Sequence, residues 1–211
     1  IEAGTIEPDG DELQIIVDTP SGPMQATAYM HTGRVESVAI RMVPSFVYSD
    51  YETLSIREFG QLEVATVCVG GFFVMVSTDQ IGLDFSPPNR RRLKKLGMKL
   101  IHEANQQLTV RHPARPEVKT VDVTEFYDPS SDAQGKGKSM VILGEGHMDR
   151  SPCGTGTAAK MTLLHHRGQL SVGDTYMNRS PLGTTFKGRL LEEIRLGDIM
   201  AVVAEVRGSA Y

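Results

Sequence analysis

Residues 148–160 read M-D-R-S-P-C-G-T-G-T-A-A-K, which places one of the chain's two cysteines between a proline and a glycine. The small residues that follow predict a helix from near Gly154-Thr155 to near Arg167, with Gly168 suited to the left-handed position after its end. A helix N-terminus carries unpaired backbone N–H groups and about half a positive charge. It therefore favours a carboxylate or phosphate. It also favours a thiolate, so Cys153 is expected to have a lowered pKa and to act as a base or nucleophile. Gly154 and Gly156 let a ligand come close to the backbone, Thr155 and Thr157 add hydroxyls, and Pro152 stiffens the approach. The pattern reads as a thiolate beside an anion cradle. A buried structural cysteine at a glycine-rich helix start is the plainer alternative. Asp149, four residues earlier, could meet a cationic amine, cap its own loop or pair with Arg150.

Other chemistries fit less well. Gly154-x-Gly156-x-x-Ala159 matches a loose dinucleotide fingerprint, with Asp174 downstream. However, Pro152 and a loop separate these glycines from the nearest strand, and a hairpin is expected after the helix. A Walker A sequence is absent. His165 and His166 would lie roughly 18 Å down the helix from the thiol, too far for a Cys–His pair. His147 is nearer but reads as a solvated loop histidine. Neither Cys-x-x-Cys nor His-x-x-x-His occurs, so no metal site is expected. Cys68, in an alternating strand, reads as a packed core thiol.

Positioning Cys153 requires a largely β framework. Leu13–Asp18, Met24–His31, Arg34–Met42, Val64–Val69, Phe72–Ser77, Val121–Phe126, Ser139–Leu143, Thr185–Glu192 and Ile199–Val206 read as strands between Gly/Pro turns. A first helix is predicted over Pro87–Leu108, with Ser86 as N-cap and Leu93, Leu96, Leu100, Ile101, Ala104 and Leu108 on one apolar face. The charge run Arg90–Lys95 is the solvated face of that helix. The second helix is apolar on most sides, which predicts burial inside a wrapping sheet. A faint internal repeat relates the end of this helix and the strands after it to Ile1–Gly33. Ile1–Gly4 is thus expected to be the last turn of an earlier helix.

The chain has 211 residues, 40% hydrophobic and 23% charged, with a net charge of −4. That suffices for one large or two small domains. The mild acidity gives no reason to expect a nucleic-acid or membrane partner. No 18-residue apolar run or signal-peptide pattern is present, and two distant cysteines do not make a disulfide framework. A cytoplasmic location is the expectation.

Asp149-Arg150-Ser151-Pro152-Cys153-Gly154-Thr155-Gly156-Thr157 resembles the signature of the proline racemase family. That family includes proline racemases, 4-hydroxyproline 2-epimerases and trans-3-hydroxyproline dehydratases. The likeness extends to Asp18-Thr19-Pro20-Ser21-Gly22, Val43-Pro44-Ser45-Phe46, Gly70-Gly71, His112-Pro113, Val121-Asp122 with Glu125-Phe126-Tyr127, and Gly208-Ser209-Ala210-Tyr211. It implies an α/β (α+β type) fold of two diaminopimelate-epimerase-like lobes, each a mixed β-sheet wrapped around a central buried helix. Residues 1–43 would be the remnant of the first lobe, and residues 44–211 the second lobe, carrying Cys153.

The resemblance further implies a cofactor-independent, metal-free racemase or epimerase that inverts Cα of a proline-type imino acid between two cysteines. Cys153 would be one acid–base group. The backbone of Gly154 and Thr155 would hold the substrate carboxylate, and Asp149 the ring amine. Leu143 and Val123 fall at positions that would shape the pocket. The other cysteine belongs to a Met-Cys-Gly-His type motif expected just before Ile1, and the family pattern also continues past Tyr211. The partner is expected to be a small imino acid, with a homodimer as a compatible assembly. A 3-hydroxyproline dehydratase and an inactive imino-acid-binding lobe stay open, and the resemblance does not choose between proline and hydroxyproline.

Overall fold

The computed structural model describes residues 10–19, 22–132 and 135–209. Three strands come first: β1 (Glu12–Thr19), β2 (Gly22–His31) and β3 (Arg34–Arg41). They are followed by β4 (Ser45–Ile56), β5 (Gly60–Val69), β6 (Gly71–Ser77), the one-turn helix α1 (Thr78–Ile81) and the long helix α2 (Pro87–Gln107). Then come β7 (Val121–Tyr127), β8 (Lys136–Leu143), the short β9 (His147–Met148) and α3 (Gly154–His166). β10 (Thr175–Arg179), β11 (Thr185–Leu196) and β12 (Ile199–Gly208) complete the order.

The strands form a mixed sheet that closes on itself. Running β12-β11-β10-β8-β7-β6-β5-β4, the ladder returns to β12 through the pairing of Val202 with Ser45. Eight strands thus make a closed, strand-dominated array. The β1-β2-β3 meander attaches outside it, with β3 pairing the far end of β12. Two ladders, β6–β7 and β8–β10, are parallel, and their crossovers carry α2 and α3 respectively.

Each helix covers its own core. α2 begins with Pro87 at its first position and buries Leu93, Leu96, Leu100 and Ala104 against Phe46, Phe72, Phe126 and Ile142. Ser86 occupies the N-cap position, but its side chain makes no cap bond, contrary to the expected role. Its hydroxyl bonds Asp84 instead, at 2.5 Å. α3 is buried at every residue from Gly156 to Leu164. Its apolar residues pack with Val67, Val69, Val141, Leu190 and Val202, which lie on β5, β8, β11 and β12. At Gly188 of β11 the Met161 side chain occupies the space a Cβ would need, its sulfur standing 2.2 Å from that position.

The β7 strand separates the two cores by alternation. Thr124 and Phe126 face α2, where the Thr124 hydroxyl donates to the Gly97 carbonyl at 2.8 Å. Val123 and Tyr127 pack in the α3 core, and Glu125 shares their parity.

β4 has no counterpart among the strands read from the sequence. It lacks alternation because it carries two register irregularities, between Val47 and Ser49 and between Ser49 and Glu52, and Tyr51 sits at φ 62°. β11 also runs past Glu192 to Leu196 through a bulge. The helical turn expected at Ile1–Gly4 lies outside the described residues. Among those described, no helix is long and apolar enough to cross a membrane.

Candidate active site at the N-terminus of α3

Cys153 is the N-cap of α3 and has φ 61°, a left-handed conformation that a non-glycine residue rarely adopts. Such a backbone persists only when its surroundings over-determine it, and here the loop is tied on both sides. The Cys153 N–H donates to the Ser151 hydroxyl at 3.0 Å. Its carbonyl accepts from the Thr157 N–H at 2.8 Å. The Ser151 N–H donates to Asp149 Oδ1 at 2.8 Å, and the Asp149 N–H donates to the Val141 carbonyl of β8 at 2.9 Å. The Pro152 carbonyl accepts from Asn178 Nδ2 at 3.1 Å and from the Thr157 hydroxyl at 3.3 Å.

The thiol itself is buried, 8% exposed, and turned onto its own helix. The Gly156 N–H donates to Cys153 Sγ at 3.3 Å, and the Thr155 hydroxyl lies 3.4 Å from the sulfur. Burial pushes the thiol up to about 12; contact with the Thr155 hydroxyl and the Gly156 N–H offsets part of this, whereas Asp149 and Glu125 add to it. The sequence pattern predicts the opposite direction. The helix terminus does act on the sulfur as expected, but loss of water around a buried thiolate outweighs it.

The N–H groups of Gly154 and Thr155 find no protein acceptor among the described residues, as helix geometry dictates for the first turn. Both residues are half-buried. They are available to an anion beside Cys153. Asp149 is half-buried and lies in the same loop, close enough for its charge to act on the thiol. Its carboxylate accepts from the Ser151 N–H, so it caps its own loop. Arg150 is exposed.

Val123 and Leu143 are direct cross-strand partners on β7 and β8. Two further pairs follow on that face, Glu125 with Val141 and Tyr127 with Ser139. Val123 packs in the core that contains Cys153 and Val141, while Leu143 is 38% exposed at the end of β8. The structure thus brings Cys153, Asp149, Gly154, Thr155 and Val123 to one end of the α3 core, with Leu143 at its exposed margin. An open groove lined by Asp149, Ser151, Leu182, Thr184 and Phe186 runs alongside; Cys153 is not on its wall.

The rival assignments are placed elsewhere. His165 contacts Glu193 at 3.0 Å and the Leu170 carbonyl at 2.7 Å, far along α3 from the thiol. Cys68 is fully buried in the α2 core, and burial pushes its thiol up to about 12. The strand before Gly154 is the two-residue β9, and α3 leads into the antiparallel β10–β11 hairpin, which is not a dinucleotide-binding unit.

The structure adds residues to this region that the sequence pattern alone did not single out. Lys160, 1% exposed, pairs with Asp132 at 2.5 Å, and its ammonium lies 3.7 Å from the centre of the Tyr127 ring. The Tyr176 hydroxyl donates to the other Asp132 oxygen at 3.0 Å. Asn178 joins Pro152, Thr157 and Ser139. Glu125 is fully buried. The available signal was a lysine inside an otherwise apolar helix and a glutamate on the inward parity of β7.

Comparison with known proteins agrees along the whole sequence. The family described as proline racemase matches residues 1–211. The proline racemase of Clostridioides difficile is 35% identical over 211 residues, covering 100% of this chain and 63% of that protein. The 4-hydroxyproline 2-epimerase of Allorhizobium ampelinum is 33% identical, covering 100% of this chain and 60% of its own length. A hydroxyproline epimerase from Agrobacterium vitis, solved with bound trans-4-hydroxy-L-proline, superposes with a TM-score of 0.91 at 33% identity over 98% of this chain and 59% of that one. The chain therefore spans about three fifths of the length of the relatives it matches. By sequence over its entire length and by fold, the chain belongs to the proline racemase family.

Proposed function

We propose that this chain carries one acid–base half of a cofactor-independent racemase or epimerase that inverts Cα of a proline-type imino acid. The observation that carries this reading is the convergence at the start of α3 of a thiol, two unpaired N–H groups and a carboxylate. Membership of the family supports it. In this reading α3 is the central helix of a diaminopimelate-epimerase-like second lobe formed by residues 44–211. Residues 1–43 belong to a first lobe, which is consistent with the closed array beginning at β4.

The chemical obstacle is the weak acidity of a C–H bond beside an ionised carboxylate. The Gly154 and Thr155 N–H groups would bind that carboxylate and stabilise the charge that builds on it as the proton leaves. Asp149 would hold the ring ammonium. Cys153 rests as a thiol at neutral pH, because burial has raised its pKa. It is therefore the group that delivers a proton: its S–H bond breaks, a Cα–H bond forms, and the negative charge passes from substrate to sulfur. A second acid–base group, contributed from outside these residues, removes the proton from the opposite face. In the reverse direction the Cys153 thiolate is the base.

The test is incubation of the full-length protein with L-proline, trans-4-hydroxy-L-proline and trans-3-hydroxy-L-proline in D₂O. Deuterium uptake at Cα with inversion is expected for proline or 4-hydroxyproline, and Cys153→Ser should abolish it. Loss of water from the 3-hydroxy substrate without inversion would replace this reading with a dehydratase. Normal inversion in Cys153→Ser would remove Cys153 from the chemistry.

A further inference from the structure

Glu125 is 0% exposed, and neither of its carboxyl oxygens has a hydrogen-bond partner among the described residues. A buried ionised carboxylate in that condition is prohibitively costly, so the group must be neutral or compensated. Its position gives this consequence. The site a Cβ would take at Gly156 lies 3.1 Å from Cys153 Cβ and 3.3 Å from Glu125 Oε2. The carboxyl and the cysteine thus flank the same small gap at the first turn of α3.

The nearby groups that could compensate a Glu125 charge are engaged with other partners and offset it only in part. On α3, the Lys160 ammonium pairs with Asp132 and lies over the Tyr127 ring. On β10, the Tyr176 hydroxyl goes to Asp132 and the Asn178 amide goes to Pro152, Thr157 and Ser139. On β8, Val141 faces Glu125 across the ladder, and the Ser139 hydroxyl is engaged with Asn178. The loop before α3 contributes Asp149, another negative charge. Burial pushes the Glu125 carboxyl up to about 8, with Ser139 and Lys160 countering only part of it and Asp132 adding to it.

We propose that Glu125 is a positioning residue whose charge state governs Cys153: neutral Glu125 lets the cysteine cycle between thiol and thiolate, and ionised Glu125 holds it as thiol. The inference rests on the reading of Cys153 as an acid–base group. When Cys153 has given its proton to Cα, the pair carries a single negative charge on sulfur. Were Glu125 already ionised, the same step would place a second negative charge within reach of the first around the buried start of α3.

The two groups then titrate as a pair, and this gives a specific signature. In the full-length protein, alkylation of Cys153 by iodoacetamide, followed by peptide mass spectrometry, reports the thiolate population. The rate should rise about tenfold per pH unit until Glu125 ionises and then level off, since the first proton lost is shared between the two sites. In Glu125→Gln the levelling should vanish and the rate should keep rising. Glu125→Met, apolar and of similar length, should do the same and serves if the glutamine variant does not fold. A wild-type rate that climbs without a break through the region near pH 8, or a break that survives in both variants, would overturn the proposal. The readout is independent of turnover. Protein with the break but without imino-acid activity would count against the proposed function and for Glu125 control; active protein without the break would do the reverse.

Discussion

The Asn178 side-chain amide donates to the Pro152 carbonyl at 3.1 Å, so a residue of β10 holds the peptide that leads into the strained Cys153. The same amide serves Ser139 and Thr157 at 2.9 and 3.0 Å, all within a site that excludes water. Asn178→Ala removes the donor and leaves buried acceptors behind. A loss of about 2–3 kcal/mol in urea-induced unfolding is expected. With Pro152 released, Cys153 should relax from φ 61° toward an ordinary conformation. In the proposed reaction, turnover should then fall through kcat more than KM, because the Gly154 and Thr155 N–H groups proposed to hold the substrate carboxylate stay in place.

Gly156 is fixed by contact, not by its backbone angle. A Cβ there would meet Val141 Cγ2 at 2.8 Å, as well as Cys153 and Glu125. Val141 is buried and cannot withdraw freely. Gly156→Ala should cost about 1–3 kcal/mol by overpacking and should slow Cys153 alkylation. Gly154→Ala, where an added Cβ meets nothing within 4 Å, is the control and should leave stability almost unchanged.

These two glycines show where the sequence was legible and where it was not. The motif around Cys153 located the helix start, the thiol and the carboxylate, because capping and turn chemistry are local. The α2 face was legible for the same reason: its leucines repeat at helical spacing. β4 was not, since its polar residues and irregular register follow from closing the array against β12, a long-range demand. The rise of the Cys153 pKa was hidden too. Helix-terminus stabilisation can be read from thirteen residues, but desolvation depends on the strands that wrap them. The group around Lys160 joins side chains from α3, β7, β10 and the β7–β8 connection, so no local pattern announces it.

Lys160 and Asp132 form a nearly buried ion pair, with side chains 1% and 13% exposed. Removing one partner of such a pair leaves an uncompensated charge and typically costs about 3–5 kcal/mol. Lys160→Met should fall in that range in urea unfolding at neutral pH. Lys160→Met combined with Asp132→Asn should be less destabilised than the single lysine variant, because the amide keeps a partner for Tyr176 without the stranded charge. A double variant as unstable as the sum of the two singles would show that the pair does not act as a unit.

Glu125 also makes stability depend on pH in a defined direction. Its carboxyl has an ordinary value of 4.5 when the chain is unfolded and is pushed up to about 8 by burial in the native protein. Between these values the native state holds a proton that the unfolded state has released. Stability therefore falls as pH rises, by up to about 1.4 kcal/mol per pH unit, and the penalty is complete above the native value. His112 works the other way: burial lowers it from 6.5, so its contribution rises with pH up to that point. Taking the difference between wild type and Glu125→Gln at each pH cancels His112 and isolates the carboxyl. Relative to the variant, wild type should lose stability steadily between pH 4.5 and about 8 and hold a constant difference beyond. Urea unfolding across that range measures it directly. A difference that does not change with pH would mean that Glu125 is ionised in the folded protein and finds a partner there, which its buried, unpaired oxygens argue against.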